Sequence, residues 1–254
     1  MNDAHDALLP CRLIVDGPAA GSWNMAVDEV LSQGAAEGRA ATLRFYRWSE
    51  PTLSLGYFQS AGDALGHRAS RGCPLVRRQT GGGAILHDHE LTYSLAVPLA
   101  HPLAADATRL YLAVHEALGR TLAQFGIETT LCATAEEHGT LGQPFLCFQR
   151  RTRGDVLLGA SKVCGSAQRR RRGAILQHGS LLLAASPRAP ELVGIGELSG
   201  KSLDFGLLVE TWWREIGRRV RLAPSPGLLS EPECHEVRAL ALEKYSARPW
   251  NQRR

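Results

Sequence analysis

Apolar and polar residues alternate along the first hundred positions in the pattern that is typical of β-strands. The alternation predicts strands at residues 12–15, 43–48 and 53–57, and a further strand at residues 91–97, where every second side chain is large and apolar. Pro51 marks the turn between the second and third of these strands. A β-sheet is therefore expected to account for much of this half of the chain.

Two helices are predicted among these strands and directly after them. Ser22 is a candidate N-cap for the first helix, which includes residues 24–31. The second helix is the clearest in the chain and spans residues 106–125, with Asp106 as its N-cap. Large apolar residues recur there at every fourth position, as in an amphipathic helix: Leu110, Val114, Leu118 and Leu122.

The second half of the chain begins with an irregular segment and ends with helices. Residues 132–154 have little periodicity and predict a long loop, a feature that is often functional in a compact domain. Two β segments are expected at residues 155–168 and 174–183. Helices are expected at residues 203–222 and 231–245.

Strands therefore dominate the middle of the chain, whereas helices flank it and end it. Residues 223–227, with two prolines and a glycine, are expected to form a linker between the last two helices. Strands and helices do not alternate as βαβ units, so the pattern favours an α+β fold with a central mixed or antiparallel sheet flanked by helices. The length fits a single domain, residues 1–254.

Composition and charge exclude several classes of protein. With 44% hydrophobic and 21% charged residues, the chain has an ordinary globular composition. Its net charge of +4 is too small to indicate nucleic-acid binding, and no apolar run reaches the length of a membrane span. None of the six cysteines forms a Cys-x-x-Cys pair, so no metal site is expected. The polar start shows no signal peptide, which favours a reducing cytoplasm.

Residues 169–172 are four consecutive arginines. The simpler interpretation is a solvated turn between two strands. The alternative is a docking patch for an acidic partner protein, where complementary charge would mainly raise the rate of association. Nucleic acid is the least favoured partner, because the run is short and no aromatic residues are interleaved with it.

A glycine run, formed by Gly81, Gly82 and Gly83, follows Arg77 and Arg78 closely. Glycines adopt backbone angles that other residues avoid, and without side chains they let a ligand lie against backbone N–H groups. The two arginines could then supply positive charge to a phosphate or a carboxylate. The spacing matches neither a P-loop nor a dinucleotide-binding motif, and a tight turn between strands is the alternative.

Cys147 lies in the irregular segment between apolar neighbours, and Lys162 follows on a predicted strand. A thiolate is the natural nucleophile for a thioester, and a lysine ammonium suits a developing oxyanion. Cys164, two residues after Lys162, is the competing nucleophile. Each of these residues taken alone could also be structural, as a buried cysteine or a surface lysine. His178 could likewise be a base, an orienting donor or a structural residue.

Together these segments resemble the lipoate–protein ligase and octanoyltransferase family. Residues 77–88 are similar to its Arg-Arg-x-Ser/Thr-Gly-Gly-Gly-Ala-x-x-His-Asp motif. Residues 162–168 and 176–179 are similar to its Lys-x-x-Gly-Ser-Ala-Gln and Gln-His-Gly segments. The first predicted helix and the closing residues 243–251 also resemble the family, so the resemblance runs in order along nearly the whole chain.

The resemblance implies one α+β domain of the biotin/lipoate protein ligase type and two candidate chemistries. Ligases of the family use ATP to make an acyl-adenylate, whereas octanoyltransferases pass octanoyl from acyl carrier protein through a cysteine thioester without ATP. Three features favour the transferase: the chain stops soon after Asn251, residues 87–94 resemble the transferase motif, and Cys147 lies where such enzymes place their nucleophile. Gly83 favours the ligase, because many transferases have arginine there.

For the transferase, the resemblance implies Cys147 as the nucleophile and Lys162 as the residue that stabilises the oxyanion. It assigns substrate binding to residues of the motifs: Arg78, Gly81, Gly82, Gly83, His87, Gly165, Ser166, Ala167 and His178. No cofactor is expected, and ATP and magnesium would be needed only by a ligase.

The resemblance also implies partner proteins. The expected acyl donor is acyl carrier protein, and the expected acceptors are lipoyl domains of 2-oxoacid dehydrogenase complexes or the glycine-cleavage H protein. A variant of this chemistry is an amidotransferase that moves lipoyl or octanoyl between two such proteins. Partners of these kinds tend to be acidic, which would give the arginine run, Arg150, Arg151 and Arg153 a use as docking charges.

Overall fold

The computed structural model describes residues 8–135, 144–171 and 173–253. Its strands are β1 (Leu9–Ala19), β2 (Ala41–Trp48), β3 (Thr52–Leu55), β4 (Leu75–Arg77), β5 (Ile85–His87), β6 (Glu90–Pro98), β7 (Thr130–Leu131), β8 (Val156–Leu158), β9 (Ser161–Arg171), β10 (Ala174–Leu182) and β11 (Leu222–Pro226). Its helices are α1 (Gly21–Ala36), α2 (Ala107–Gln124), α3 (Ile195–Ser199), α4 (Phe205–Val220), α5 (Glu231–Leu240) and α6 (Arg248–Asn251).

Eight of these strands form one mixed sheet in the order β11-β1-β2-β6-β10-β9-β8-β7. Strand β1 runs parallel to both of its neighbours, whereas the remaining pairs are antiparallel. A second sheet has the order β4-β3-β5. The expected α+β architecture with a mixed central sheet is therefore confirmed.

Helices α2 and α4 cover one face of the large sheet. The four residues of the predicted apolar stripe of α2 are fully buried, and the Asp106 carboxylate caps the helix by accepting hydrogen bonds from Thr108 N and Arg109 N. Trp212 of α4 packs on the rings of Phe45 and Tyr93. The largest core of the protein lies between these helices and the sheet.

Helix α1 covers the opposite face, and its start differs from the prediction. The N-cap position is Ala20, and Ser22 lies inside the first turn. The helix therefore begins without a side-chain cap. It turns polar as well as apolar residues toward the sheet, because Asn24, Asp28 and Glu29 are all buried. These polar groups form part of the network that surrounds the candidate site.

Two predicted elements are different in the structure. The β segment at residues 155–168 is split into β8 and β9 by a turn at Gly159, whose positive φ of 58° favours glycine. The predicted linker at residues 223–227 is largely strand β11, which pairs with β1. Prolines 224 and 226 are tolerated in this strand because it lies at the edge of the sheet, where one side needs no N–H donors.

The arginine run also lies in a different place from the one expected. Arg169 and Arg171 belong to strand β9 rather than to a turn, and Arg172 lies outside the described residues. Arg169 donates a hydrogen bond to Gln79 O and stacks on the ring of Tyr57. None of the helices in the described ranges is long and apolar enough to cross a lipid bilayer.

Candidate active site

The glycine run and the segment around Cys147 lie side by side. Backbone hydrogen bonds join them: Ala84 N donates to Phe145 O at 3.0 Å, and Cys147 N donates to Ala84 O at 2.7 Å. A Cβ atom at Gly83 would lie 3.1 Å from the backbone N and Cα of Cys147. The close approach of the two chains therefore favours glycine at this position.

Lys162 projects from β9 toward the same point. Its Nζ lies 3.8 Å from Cys147 Sγ, and it forms an ion pair of 2.9 Å with Asp155. The residue is only 6% exposed, so the interpretation as a surface lysine is wrong. Burial by itself lowers the pKa of Lys162, but the charges of Cys147 and Asp155 raise it above its usual value. At neutral pH an ammonium therefore faces Cys147 Sγ.

Asp155 holds this ammonium in place. Its Oδ1 accepts a hydrogen bond from Tyr111 OH at 2.9 Å, and its Oδ2 accepts from Thr152 N at 2.7 Å and from Thr152 Oγ1 at 3.0 Å. A carboxylate that is fixed by three neutral donors gives Lys162 one well-defined direction.

Cys164 occupies a different environment, although it is only two residues from Lys162. Its side chain is fully buried in the core between the sheet and α2. Burial raises the pKa of the Cys164 thiol far above its usual value. Cys147, by contrast, is partly exposed. The accessible thiol beside the ammonium is thus Cys147.

A partly open cavity of about 50 Å³ lies beside Cys147. Its wall combines α1, both sheets and the Cys147 turn, and most of it is apolar: Met25, Ile85, Phe148, Gly82, Gly165, Ala167 and Gly179. An open groove of about 500 Å³ lies on the outer side and is lined by the glycine run, Arg150, Arg151 and Lys162. Cys147 lines both spaces and so stands at the boundary between them.

His87 and His178 contribute to the cavity wall, but both nitrogens of each ring are engaged. His87 contacts Ser54 Oγ at 2.9 Å and Glu90 Oε1 at 2.8 Å. Burial lowers the pKa of His87, although Glu90 opposes the shift, and its ring stacks on Trp48. His178 bridges two groups in the same way: Thr80 at 2.6 Å and Asp28 at 3.0 Å. In this arrangement both rings serve to shape the wall.

Arg77 and Arg78 both donate hydrogen bonds to backbone carbonyls. Arg78 lines the cavity, yet its guanidinium donates to the carbonyls of Ser54, Gly81 and Gly83 and thereby holds the glycine turn. Burial lowers the pKa of Arg78 to about 10. Arg77 donates to carbonyls from two distant segments: Gly56, Gln59, Asn251 and Arg253.

The small residues of the second motif make room for their neighbours. A Cβ atom at Gly165 would lie 2.7 Å from Lys162 Nζ, so the lysine occupies the space that a side chain would take. Ser166 and Ala167 line both the cavity and the groove. All the site residues predicted from the two motifs thus converge on one place.

A polar network beneath β9 was not predicted from the sequence. Ser166 Oγ lies 2.6 Å from His115 Nε2 and 2.7 Å from Tyr93 OH, and His115 Nδ1 lies 2.6 Å from Gly154 O. A carbonyl only accepts, so His115 donates from Nδ1 and accepts at Nε2. Burial lowers the pKa of His115 to about 4. The sequence contains one signal for this network: Tyr111 and His115 form a polar pair one helical turn apart, beside the apolar stripe of α2.

Known proteins resemble the chain over nearly all of its length. The model of the lipoyl protein ligase A/B catalytic domain matches residues 20–193. Octanoyltransferase LipM of Kyrpidia tusciae is 34% identical over 271 residues, covering 96% of this chain and 98% of that protein. Octanoyltransferase LipM of Moorella thermoacetica is 35% identical over 272 residues, with the same two coverages of 96% and 98%.

A solved structure has the same fold. The archaeal bi-partite lipoate protein ligase of Thermoplasma acidophilum, described with its E2 lipoyl domain, is similar with a TM-score of 0.75 at 22% identity, over 96% of each chain. This likeness confirms the expected lipoate protein ligase fold. The residues matched by the family model include both Cys147 and Lys162.

Proposed function

The chain belongs to the family of lipoyl protein ligase A/B catalytic domains, and from this premise we propose that it carries an octanoyl group on Cys147 and transfers it to a lysine of a partner protein. The enzyme class is that of the relatives, so the chain is an octanoyltransferase. The proposed donor is octanoyl-acyl carrier protein, and the proposed reaction uses neither ATP nor a metal ion.

The position of Cys147 carries this proposal. The apolar cavity behind the sulfur suits a hydrocarbon chain, and the open groove in front of it suits the protein-bound ends of the substrates. An acyl group bonded to Cys147 would have its chain inside and its reactive carbonyl at the boundary, beside Lys162.

In the first step, Cys147 Sγ attacks the thioester carbonyl of the donor. The new Sγ–C bond forms as the bond from carbon to the donor sulfur breaks, and the thiol proton of Cys147 goes to the departing sulfur. The ammonium of Lys162 stabilises the negative charge that passes from Cys147 Sγ to the carbonyl oxygen, and its 3.8 Å distance from the sulfur supports this role. Exchange of one thioester for another is close to balanced in energy.

In the second step, the neutral amine of an acceptor lysine attacks the acyl-enzyme. A C–N bond forms as the Sγ–C bond breaks, and a proton from the amine returns to Cys147 as the thiol. The proposed acceptor is a lipoyl domain or a glycine-cleavage H protein. A similar ligase structure is described with an E2 lipoyl domain, which supports an acceptor of this kind.

The groove carries positive charge that suits acidic partners. Arg150 and Arg151 line it, and Arg153 and Arg170 are exposed. Complementary charge would raise the rate at which donor and acceptor proteins reach the groove.

The test is intact-protein mass spectrometry after mixing the enzyme with octanoyl-acyl carrier protein in the absence of ATP. Wild type is expected to gain one octanoyl group that hydroxylamine removes, because hydroxylamine cleaves thioesters. Cys147→Ala is expected to gain none. Cys164→Ala is the matched control and is expected to be acylated, because its thiol is buried in the core.

Two outcomes would contradict the proposed chemistry, and a third would change the proposed donor. An adduct that persists in Cys147→Ala and disappears in Cys164→Ala would transfer the role of nucleophile to Cys164. No adduct on wild type, with a lipoyl domain modified only when free octanoate or lipoate and ATP are supplied, would make the chain a ligase. Acylation by a lipoyl-modified protein in place of acyl carrier protein would identify the amidotransferase variant.

A further inference from the structure

One hydroxyl on the cavity wall has no partner. Ser180 of β10 lines the cavity and is 1% exposed, and its Oγ contacts no hydrogen-bonding group within the described ranges. The other wall residues with hydroxyl or imidazole groups all have partners: Tyr46, His87, Thr92, Ser166 and His178. Arg78 keeps only its Nε without one. A buried hydroxyl without a partner is unfavourable, and a ligand atom would satisfy it.

Sheet register places this hydroxyl beside Gly165, whose other neighbour is Lys162. Ser180 pairs with Gly165 across the β10–β9 ladder. Directly paired residues of antiparallel strands project to the same face and lie about 5 Å apart. The side-chain space above Gly165 is occupied by Lys162 Nζ, which lies 2.7 Å from where its Cβ would be. The Gly165 position on the cavity wall therefore adjoins both groups, the Ser180 hydroxyl in the cavity and the Lys162 ammonium, which lines the groove.

Two donors on either side of one position can both donate a hydrogen bond to a single oxygen there. Hydrogen bonds from nitrogen or oxygen donors to an oxygen are about 2.8 Å long, so one oxygen can accept from two donors that are about 5 Å apart. We propose that the Ser180 hydroxyl and the Lys162 ammonium both donate hydrogen bonds to the acyl carbonyl oxygen. The hydrogen bond from Ser180 becomes stronger as this oxygen becomes negative. Ser180 is then a catalytic residue, and this inference rests on the proposed function.

The local sequence fits this role. Gly179 precedes Ser180, and a Cβ there would collide with Tyr93 at 2.7 Å, so β10 is held closely against its neighbours. Thr92, on the other side of Ser180, already donates to Glu90 and accepts from Trp48. Among the described residues, the Ser180 hydroxyl therefore has no group to which it donates a hydrogen bond, whereas the hydroxyl of the neighbouring Thr92 does.

The experiment measures the single-turnover rate of Cys147 acylation by octanoyl-acyl carrier protein, followed by mass spectrometry. Ser180→Ala is expected to slow acylation by about ten- to a hundred-fold at saturating donor, because one donor to the oxyanion is lost. The donor concentration at half-saturation is expected to change little. Ser180→Thr keeps the hydroxyl and is expected to retain most of the wild-type rate.

The control variant is Ser70→Ala. Ser70 is also buried, but it bonds to His67 in a short helical segment away from the cavity. In Ser70→Ala, Cys147 is expected to be acylated at the wild-type rate. A reduction in Ser70→Ala as large as that in Ser180→Ala, or equal reductions in Ser180→Ala and Ser180→Thr, would overturn the proposal, because the loss would then not depend on the hydroxyl at Ser180.

A spectroscopic measurement separates hydrogen bonding from packing. The acyl-enzyme is prepared with an isotope-labelled carbonyl, and its stretching band is recorded by infrared difference spectroscopy. Ser180→Ala is expected to move the band to higher frequency, since a carbonyl that loses a hydrogen bond becomes stiffer. An unchanged band would overturn the proposal even if the acylation rate had fallen.

The outcomes also distinguish this inference from the proposed function. A wild-type adduct with an unchanged rate and band in Ser180→Ala would overturn only the role of Ser180. A changed preference for acyl-chain length with an unchanged octanoyl rate would do the same, because Ser180 would then contact the chain and not the carbonyl. No adduct on wild type would overturn both the proposed function and this inference.

Discussion

At the scale of single residues, the site depends on a lysine that is buried and charged at once. Burial disfavours the ammonium, so its charge is maintained by neighbours, among them Asp155, which forms a 2.9 Å ion pair with it. The raised pKa of Lys162 reflects this balance. The ammonium persists until the pH rises through that raised value, and the stabilisation of negative charge at Cys147 is lost above it.

Asp155→Asn tests this balance. Removal of the carboxylate charge takes away one of the groups that oppose the effect of burial, so the pKa of Lys162 is expected to fall. The alkaline limb of the acylation rate is then expected to move to lower pH, with a loss of about ten-fold or more at neutral pH. The measurement is the pH dependence of single-turnover acylation.

The control for this variant is Asp204→Asn at the N-cap of α4, where the same substitution removes a carboxylate outside the site and leaves a good N-cap. Its pH profile is expected to match that of wild type. An Asp155→Asn profile with an unmoved alkaline limb would show that Asp155 does not set the charge of Lys162.

At the scale of elements, α2 does more than cover the sheet. Tyr111 and His115 lie one turn apart on this helix and reach Asp155, Ser166 and the carbonyl of Gly154. These groups lie on or next to strand β9 and the loop before β8. The helix therefore fixes the spacing between the Asp155 loop and the strand that carries Lys162.

The neutral His115 makes stability depend on pH. Its pKa is lowered to about 4, so between the ordinary value of 6.5 and about 4 the unfolded chain binds a proton that the folded chain excludes. Stability is therefore expected to fall as the pH falls through this window, by about 3 kcal/mol in total. His115→Gln cannot titrate and is expected to lose less stability between pH 7.5 and about 5. Urea unfolding of both proteins at the two pH values measures the difference.

The other buried groups are the same in wild type and His115→Gln. Their contributions to the pH dependence of stability therefore cancel when the two proteins are compared. Equal losses in wild type and His115→Gln would mean that His115 binds its proton as readily in the folded chain as in the unfolded one.

Elements with a strong local pattern could be predicted, and elements defined by distant pairing could not. The stripe of α2 and the alternation of β6 are local properties, and both elements are confirmed. Strand β11 has a sequence typical of a linker, and only its pairing with β1 makes it a strand. The start of α1 at Ala20 and not Ser22 has no local signal, because the helix is held by packing on the sheet.

The site residues also divide into those that the sequence could predict and those that it could not. The motifs around Gly82 and Lys162 are contiguous in sequence, so the resemblance to a family finds them. Ser180 and His115 acquire their positions from the register of β10 and from the packing of α2, which are three-dimensional properties. The carbonyl contacts of Arg77 and Arg78 could not be predicted, because a sequence does not show which carbonyls surround a guanidinium.

At the scale of the whole molecule, Cys147 lies between an apolar cavity and an open groove that carries positive charge. Arg151 lies on the outer side. Arg151→Glu is expected to lower the rate of acylation by octanoyl-acyl carrier protein several-fold at low salt, with a smaller effect at high salt, because the charges are screened. The rate with octanoyl-pantetheine, which lacks the acidic protein, is expected to change little.

Octanoyl-pantetheine is the control donor for Arg151→Glu. Equal losses with both donors would mean that Arg151 acts on the catalytic groups and not on docking. A loss with the protein donor that is insensitive to salt would exclude long-range charge as its cause.

The contacts of Arg77 have a consequence for biosynthesis. Its guanidinium joins the strand that leads into the glycine turn to the carbonyls of Asn251 and Arg253, 174 and 176 residues further along the chain. A ribosome releases Cys147 and Lys162 long before it releases these anchors. The nascent chain therefore contains Cys147 for some time without the support that fixes the turn beside it, and the site reaches its final form only when translation has passed Arg253.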